Sequence, residues 1–221
     1  MMKLRLCLFL LLAVFSLNSA EPDATSLPIV VLLGDSIRMN YEAAVGEALD
    51  GKAIISAPRD NGKDTLYMLE NLDRWLSGRE KAQVIHVNVG LHDMYLDSKT
   101  GLPRHSLERY EMNLRAIFEK LDQVSDATVI FALTTVVNET QQAGSEGYGR
   151  VVRRNRDIEI YNATARVVAK EMGVQVNDLY RFMKEADPSI ILRPSDGIHL
   201  SAEGCEIMGR EVARVILKKL K

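Results

Sequence analysis

The chain has 221 residues, 47% of them hydrophobic and 26% charged, an ordinary globular composition whose length suits one generous domain or two small ones. Its 28 basic and 30 acidic residues give a net charge of −2, and nothing in that balance suggests nucleic acid as a partner. No internal repeat, Pro-rich linker or low-complexity tract divides the chain, so a single domain is expected over residues 21–221.

The first twenty residues differ in kind. Lys3 and Arg5 precede an unbroken apolar stretch from Leu6 to Phe15, and "SLNSA" offers small residues for cleavage after Ala20. That is the layout of a secretory signal peptide over residues 1–20, and it predicts a secreted or periplasmic protein. A spanning helix needs about 20 apolar residues, more than this core supplies, so no stable membrane insertion is expected after cleavage. Cys7 lies too early for a lipoprotein site. Without Lys3 and Arg5, 26 basic residues face 30 acidic ones, a net charge of −4. Only Cys205 then remains, so no internal disulfide can form and packing alone must hold the core.

Residues 28–33, "PIVVLL", form a short apolar run rich in β-branched residues that stops at Gly34, the pattern of a strand buried on both faces. Similar runs recur at 52–57, 83–89, 127–135 and 174–178. Helical spacing fills the intervals. Leu66, Leu69, Leu72 and Leu76 mark one helix; Leu107, Tyr110, Leu114, Ile117 and Leu121 a second; Tyr161, Ala165, Val168 and Met172 a third. Ser106 reads as the cap of the second and Gly173 as the stop of the third. This alternation predicts a five-stranded parallel sheet with helices on both faces and right-handed crossovers. Sites in such sheets form beyond the carboxyl ends of the strands.

The residues just after each run are therefore the ones to examine. The first run leads into Gly34-Asp35-Ser36-Ile37, with a helix expected from about Met39, and the second into "APRDNGKDT", which contains Gly62. The third ends in Gly90-Leu91-His92-Asp93, and the fourth in Thr134 and Thr135 before a loop, 138–150, long enough to serve as a rim or lid. Asp196 and His199, three apart, precede the last helix.

A hydroxyl nucleophile needs a base within hydrogen-bond reach and a third group to orient that base. Ser36 supplies the first, and one turn carrying Asp196 and His199 supplies the others. His92 and Asp93 are worse placed as a mutual pair, because neighbours in an extended segment point to opposite sides. There is no G-x-S-x-G elbow, no phosphate loop and no complete dinucleotide turn. A metal held by His92, Asp93 and His199 has no H-E-x-x-H or C-x-x-C pattern behind it, so no metal or cofactor is expected.

Gly34-Asp35-Ser36-Ile37, Gly62, Gly90-Leu91-His92-Asp93 and Asp196-Gly197-Ile198-His199, in this order, resemble the four blocks of the SGNH, or GDSL, hydrolase family of serine esterases across essentially the whole chain after residue 20. The resemblance implies a three-layer α/β fold like flavodoxin's and hydrolysis of carboxylic esters without a metal. Carried over by position, Ser36 is the nucleophile, His199 the general base and then acid, and Asp196 the residue that orients it. The oxyanion hole maps to the backbone N–H groups of Ser36 and Gly62 and the side chain of His92. Asn61 is the alternative to Gly62, because "RDNGKDT" admits a shift of one residue.

His92 departs from the family's GxND pattern, and in this block the chain resembles a subgroup of the family that reads GLHD. A neutral imidazole with its N–H aimed at the oxyanion is a legitimate donor. Asn88, of the same strand parity, is a second source of an amide. Asp35 and Asp93 read as holding their turns by hydrogen bonds to nearby backbone. Arg38 reads as a solvated or paired helix residue or a contact for an anionic substrate, and Arg153, Arg154 and Arg156 as a solvated basic face. The sequons at Asn138 and Asn162 matter only in a host that glycosylates its exports. The resemblance implies a small-molecule or glycan ester as substrate, with carbohydrate O-acetyl groups foremost. An acyltransferase on the same site and a non-catalytic carbohydrate-binding relative are the alternatives.

Overall fold

The computed structural model describes residues 26–144 and 151–220. The expected signal peptide over residues 1–20 and the 145–150 stretch of the expected rim lie outside the described residues. Five strands form one parallel sheet: β1 (Ile29–Gly34), β2 (Ile54–Ser56), β3 (Val84–Asn88), β5 (Thr128–Ala132) and β7 (Gln175–Asn177). Each falls within a residue of an apolar run or inside it. Val30, Val31, Leu32 and Leu33 are wholly buried, as a strand covered on both faces requires.

The spatial order is β2-β1-β3-β5-β7. Counting only these five, that is 2-1-3-4-5, the doubly wound order of flavodoxin, and the direction of winding reverses between β1 and β3. Helices α1 (Ser36–Ala48) and α8 (Ala202–Leu217) pack together, as do α2 (Thr65–Leu76), α3 (Leu107–Val124) and α5 (Asn155–Glu171) in succession. The buried side chains of sheet and helices form one cluster. Among the described residues no helix is long and apolar enough to cross a membrane.

Capping chemistry sets the helix starts. Ser106 Oγ accepts from Arg109 N at 3.2 Å at the head of α3, and Ser201 Oγ from Gly204 N at 2.9 Å at the head of α8. Gly173, at φ +70°, lets the chain turn left-handed after α5. The first helix starts at Ser36 itself rather than near Met39, because the Asp35 carboxylate accepts from Ile37 N at 2.9 Å and so caps three residues earlier. In α2 the buried face is Met68, Leu72, Trp75 and Leu76, and the expected Leu66 and Leu69 are only half-buried.

Periodicity gave no sign of a two-stranded antiparallel ladder, β4 (Leu96–Asp97) with β6 (Val151–Val152), whose strands are too short to carry a pattern. It clips the excursion after β3 to the segment entering α5. Three short helices, α4 (Glu139–Gly144), α6 (Leu179–Glu185) and α7 (Pro188–Ile191), complete the described fold. The expected solvated basic face is corrected at Arg153, which is buried and donates through Nε to Leu91 O at 3.2 Å. The Asn162 sequon is likewise closed: its side chain is buried, holding both Thr134 N and Thr134 O at 2.9 Å.

Candidate active site

The end of β1 is built for close approach. A Cβ on Gly34 would lie 2.5 Å from Asn88 O and 2.7 Å from Arg38 Cβ, so only glycine lets β1, β3 and the start of α1 meet there. Ser36 follows as the first residue of α1, half-buried. Its backbone N–H is among those with no partner inside the helix, at the positive end of the helix dipole.

The other half of the site comes from the turn before α8. Gly197 takes φ +64°, and a Cβ there would sit 2.7 Å from Asn138 O, so glycine is required both by conformation and by packing. Asn138 N donates to Gly197 O at 2.7 Å, which fastens this turn to the segment after β5. Leu200 N donates to the Asn40 side chain at 3.1 Å, fastening it to α1. Asn40 lies one turn after Ser36, and no sequence pattern marked it.

These anchors bring three distant side chains into line. His199 Nε2 is 2.9 Å from Ser36 Oγ, across 163 residues of chain, and His199 Nδ1 is 3.0 Å from Asp196 Oδ2. Burial alone would push the Asp196 carboxyl up. The N–H groups of Ile198 and His199, at 2.8 and 2.9 Å, and the His199 ring outweigh burial and hold it below the usual carboxylate range. An ionised Asp196 can only accept, so Nδ1 carries the proton and Nε2 presents its lone pair to the Ser36 hydroxyl. The His199 side chain is 16% exposed, enough for a substrate to reach the pair.

His92 is brought to the same region, near enough to His199 for the two charges to interact. The chain turns sharply at Gly90, φ +140°, where a Cβ would meet Thr134 Oγ1 at 2.6 Å, and Asp93 N closes the turn on Gly90 O at 2.9 Å. Burial, aided by the positive charge of Arg153, presses the His92 imidazole down to about 4, so it is neutral near pH 7 and keeps one ring N–H. No group among the described residues hydrogen-bonds that ring. The turn also ends the strand parity that linked Asn88 to His92. Asn88 Nδ2 instead donates to Ala132 O at 3.3 Å within the sheet.

Asp93 does not hold its own turn. Its carboxylate accepts from Thr65 N at 3.0 Å and from the Thr65 hydroxyl, joining the end of β3 to the start of α2, and burial raises it to about 7. Asp35 is the local cap described above, raised to about 6 by burial against the opposing pull of Ile37 N–H, Arg153 and Arg38. Among the described residues no group of three His, Cys, Asp or Glu is arranged to hold a metal ion.

Gly62 is placed against the end of β1, but its N–H donates to Gly34 O at 2.8 Å. That donor is occupied, so the expected oxyanion role does not follow from this geometry. A Cβ at residue 62 would lie 2.6 Å from the same carbonyl oxygen, and this close approach is what requires glycine. Beside it, Asn61 Oδ1 accepts from Lys63 N at 2.9 Å. Its Nδ2 has no acceptor among the described residues.

A model of the GDSL-like lipase/acylhydrolase family matches residues 32–207, which span all four motif blocks. The chain is 30% identical over 201 residues to the GDSL esterase/lipase CPRD49 of Arabidopsis thaliana, covering 86% of this chain and 78% of that protein. In structure it is similar to a lipase/acylhydrolase from Enterococcus faecalis, with TM-score 0.71, 19% identity and coverage of 88% of this chain and 98% of that one. It is also similar to Axe2, an acetylxylan esterase from Geobacillus stearothermophilus, with TM-score 0.64, 18% identity and coverage of 86% and 94%. The chain belongs to the GDSL-like lipase/acylhydrolase family and is a carboxylic ester hydrolase.

Proposed function

We propose that the chain is an exported serine esterase that removes short acyl groups, acetyl foremost, from carbohydrate esters. The observation that carries the catalytic assignment is the unbroken hydrogen-bonded line from Asp196 through His199 to Ser36. Ser36 Oγ attacks the ester carbonyl as His199 Nε2 takes its proton, and the oxyanion is received by Ser36 N–H and the neutral His92 imidazole. Asn61, on the loop beside Gly34, is the third donor of this reading. As the C–O bond breaks, His199 returns the proton to the departing alkoxide. Water then repeats the cycle on the acyl-enzyme, with His199 again as base, and frees the acid.

The sugar ester is chosen on likeness of fold to the Geobacillus acetylxylan esterase. Export is supported by the Lys3 and Arg5 charges ahead of the Leu6 to Phe15 apolar run. The test is a screen of acetylated sugars and p-nitrophenyl esters of increasing chain length, run with Ser36→Ala alongside. The wild type should favour acetyl esters and take up a fluorophosphonate label, and Ser36→Ala should lose both properties. An unchanged Ser36→Ala enzyme refutes the nucleophile assignment.

A further inference from the structure

Arg38, two residues beyond Ser36, is buried to 1% exposure, neither solvated nor in reach of an external anion. Taking a guanidinium out of water costs several kcal/mol unless its hydrogen bonds are replaced. Here the replacements are concentrated. Nη2 donates to Asp60 O at 2.8 Å and Pro58 O at 3.2 Å, and lies 3.5 Å from Gly34 O, while Nη1 pairs with Glu42. Two of those carbonyls belong to the loop between β2 and α2, and the third ends the nucleophile strand.

That loop has no sheet or helix ladder of its own to set its position. Its far side is held from α2, where Trp75 Nε1 donates to Asp60 Oδ2 at 3.1 Å and Arg74 pairs with the same carboxylate. Its near side rests on Gly62 N to Gly34 O and on Arg38. A lysine could not reproduce this, since a single ammonium cannot spread planar, fixed donors over carbonyls from two segments.

We propose that Arg38 is a positioning residue that clamps the 57–62 loop to the end of β1 and so fixes Asn61, the oxyanion donor this loop supplies in the proposed function, relative to Ser36. The proposal rests on the reading of Ser36 as nucleophile. A displacement of about 1 Å at a reacting centre can cost on the order of 10²-fold in rate, so loosening the clamp is felt in turnover before it is felt in binding.

The experiment compares Arg38→Met, Arg38→Lys and Ser36→Ala in the full enzyme, with rates of the wild type and the Arg38 variants normalised to active sites titrated by a fluorophosphonate, that of Ser36→Ala to total protein, and folding checked by near-UV circular dichroism. Arg38→Met should lower kcat for p-nitrophenyl acetate by roughly 10-fold to 10²-fold with KM within about twofold. Affinity for phenylboronic acid, which forms a tetrahedral adduct on the serine, should fall in step with kcat, and Arg38→Lys should restore part of both. Wild-type kcat and boronate affinity in a folded Arg38→Met enzyme overturn the clamp. If Arg38→Met does not fold, the same result in Arg38→Lys overturns it. An active Ser36→Ala enzyme overturns instead the reading on which the clamp rests.

Discussion

Replacing His92 by alanine removes a ring that makes no hydrogen bond among the described residues, so the substitution breaks no hydrogen bond of the fold. The ring is held neutral, its imidazole pressed to about 4 mainly by burial and further by Arg153. It therefore has a single N–H at neutral pH, the one that the proposed mechanism gives to the tetrahedral intermediate. Removing one such donor from a site of this kind costs on the order of 10²–10³ in kcat, or about 2.7–4 kcal/mol of transition-state stabilisation. His92→Ala should fall in that range, and His92→Asn, which restores a neutral amide donor, should retain much of the activity. The assay is kcat for p-nitrophenyl acetate from pH 5 to 9, with KM followed to separate turnover from binding. Because His92 is already neutral across this range, the acid limb of the profile should survive unchanged in His92→Asn. A His92→Ala enzyme as fast as the wild type would remove His92 from the mechanism. An acid limb that disappears in His92→Asn would show that the imidazolium, not the neutral ring, is the working form.

Asp196→Asn leaves the shape of the turn but replaces an obligate acceptor, so His199 can take the tautomer with its proton on Nε2; kcat should fall by on the order of 10⁴ with KM little changed, and a fall of less than about tenfold would refute the orienting role. Asp93 titrates near 7 in the folded chain against 3.8 unfolded, so the fold favours its protonated form. Stability from that group is complete below about pH 3.8 and is lost as pH rises toward 7. Asp93→Asn removes this slope, so urea unfolding at pH 5 and pH 8 should show the variant gaining on the wild type at the higher pH. A difference between the two proteins that does not vary with pH would refute the raised carboxyl.

Much of the sheet was legible because its signal is local. Five apolar runs separated by helical spacing were sufficient for the strand number of the sheet and its alternation with helices. Where one residue outweighs periodicity, the local pattern misplaces the boundary. Asp35 starts α1 three residues before the apolar pattern suggests, because a single carboxylate capping Ile37 N decides the first turn. The half-buried Leu66 and Leu69 show the same limit, since hydrophobic spacing names several faces of a helix and tertiary packing selects one. The β4–β6 ladder, two residues on each side, lies below any periodic signal.

The site was legible where the chemistry is carried by side chains and illegible where it is carried by backbone and burial. Ser36, Asp196 and His199 stood out by joint placement, a hydroxyl after the first strand and a carboxylate and an imidazole three apart before the last helix, and by the family resemblance, and the structure brings the three into one hydrogen-bonded line. Arg38 and Arg153 could not, because a charged residue is solvated by default and nothing local announces that its guanidinium faces loop carbonyls. Gly62 shows the same limit from the other side. A glycine in a turn can free an N–H for substrate or let two backbones touch, and the sequence is identical in both cases. Only the 2.8 Å bond from Gly62 N to Gly34 O distinguishes them. That bond fastens one end of the loop to β1, and the rest of the 57–62 segment is held by side chains far off in sequence, Arg38 on its Pro58 and Asp60 carbonyls and Trp75 on the Asp60 carboxylate, which no local pattern announces.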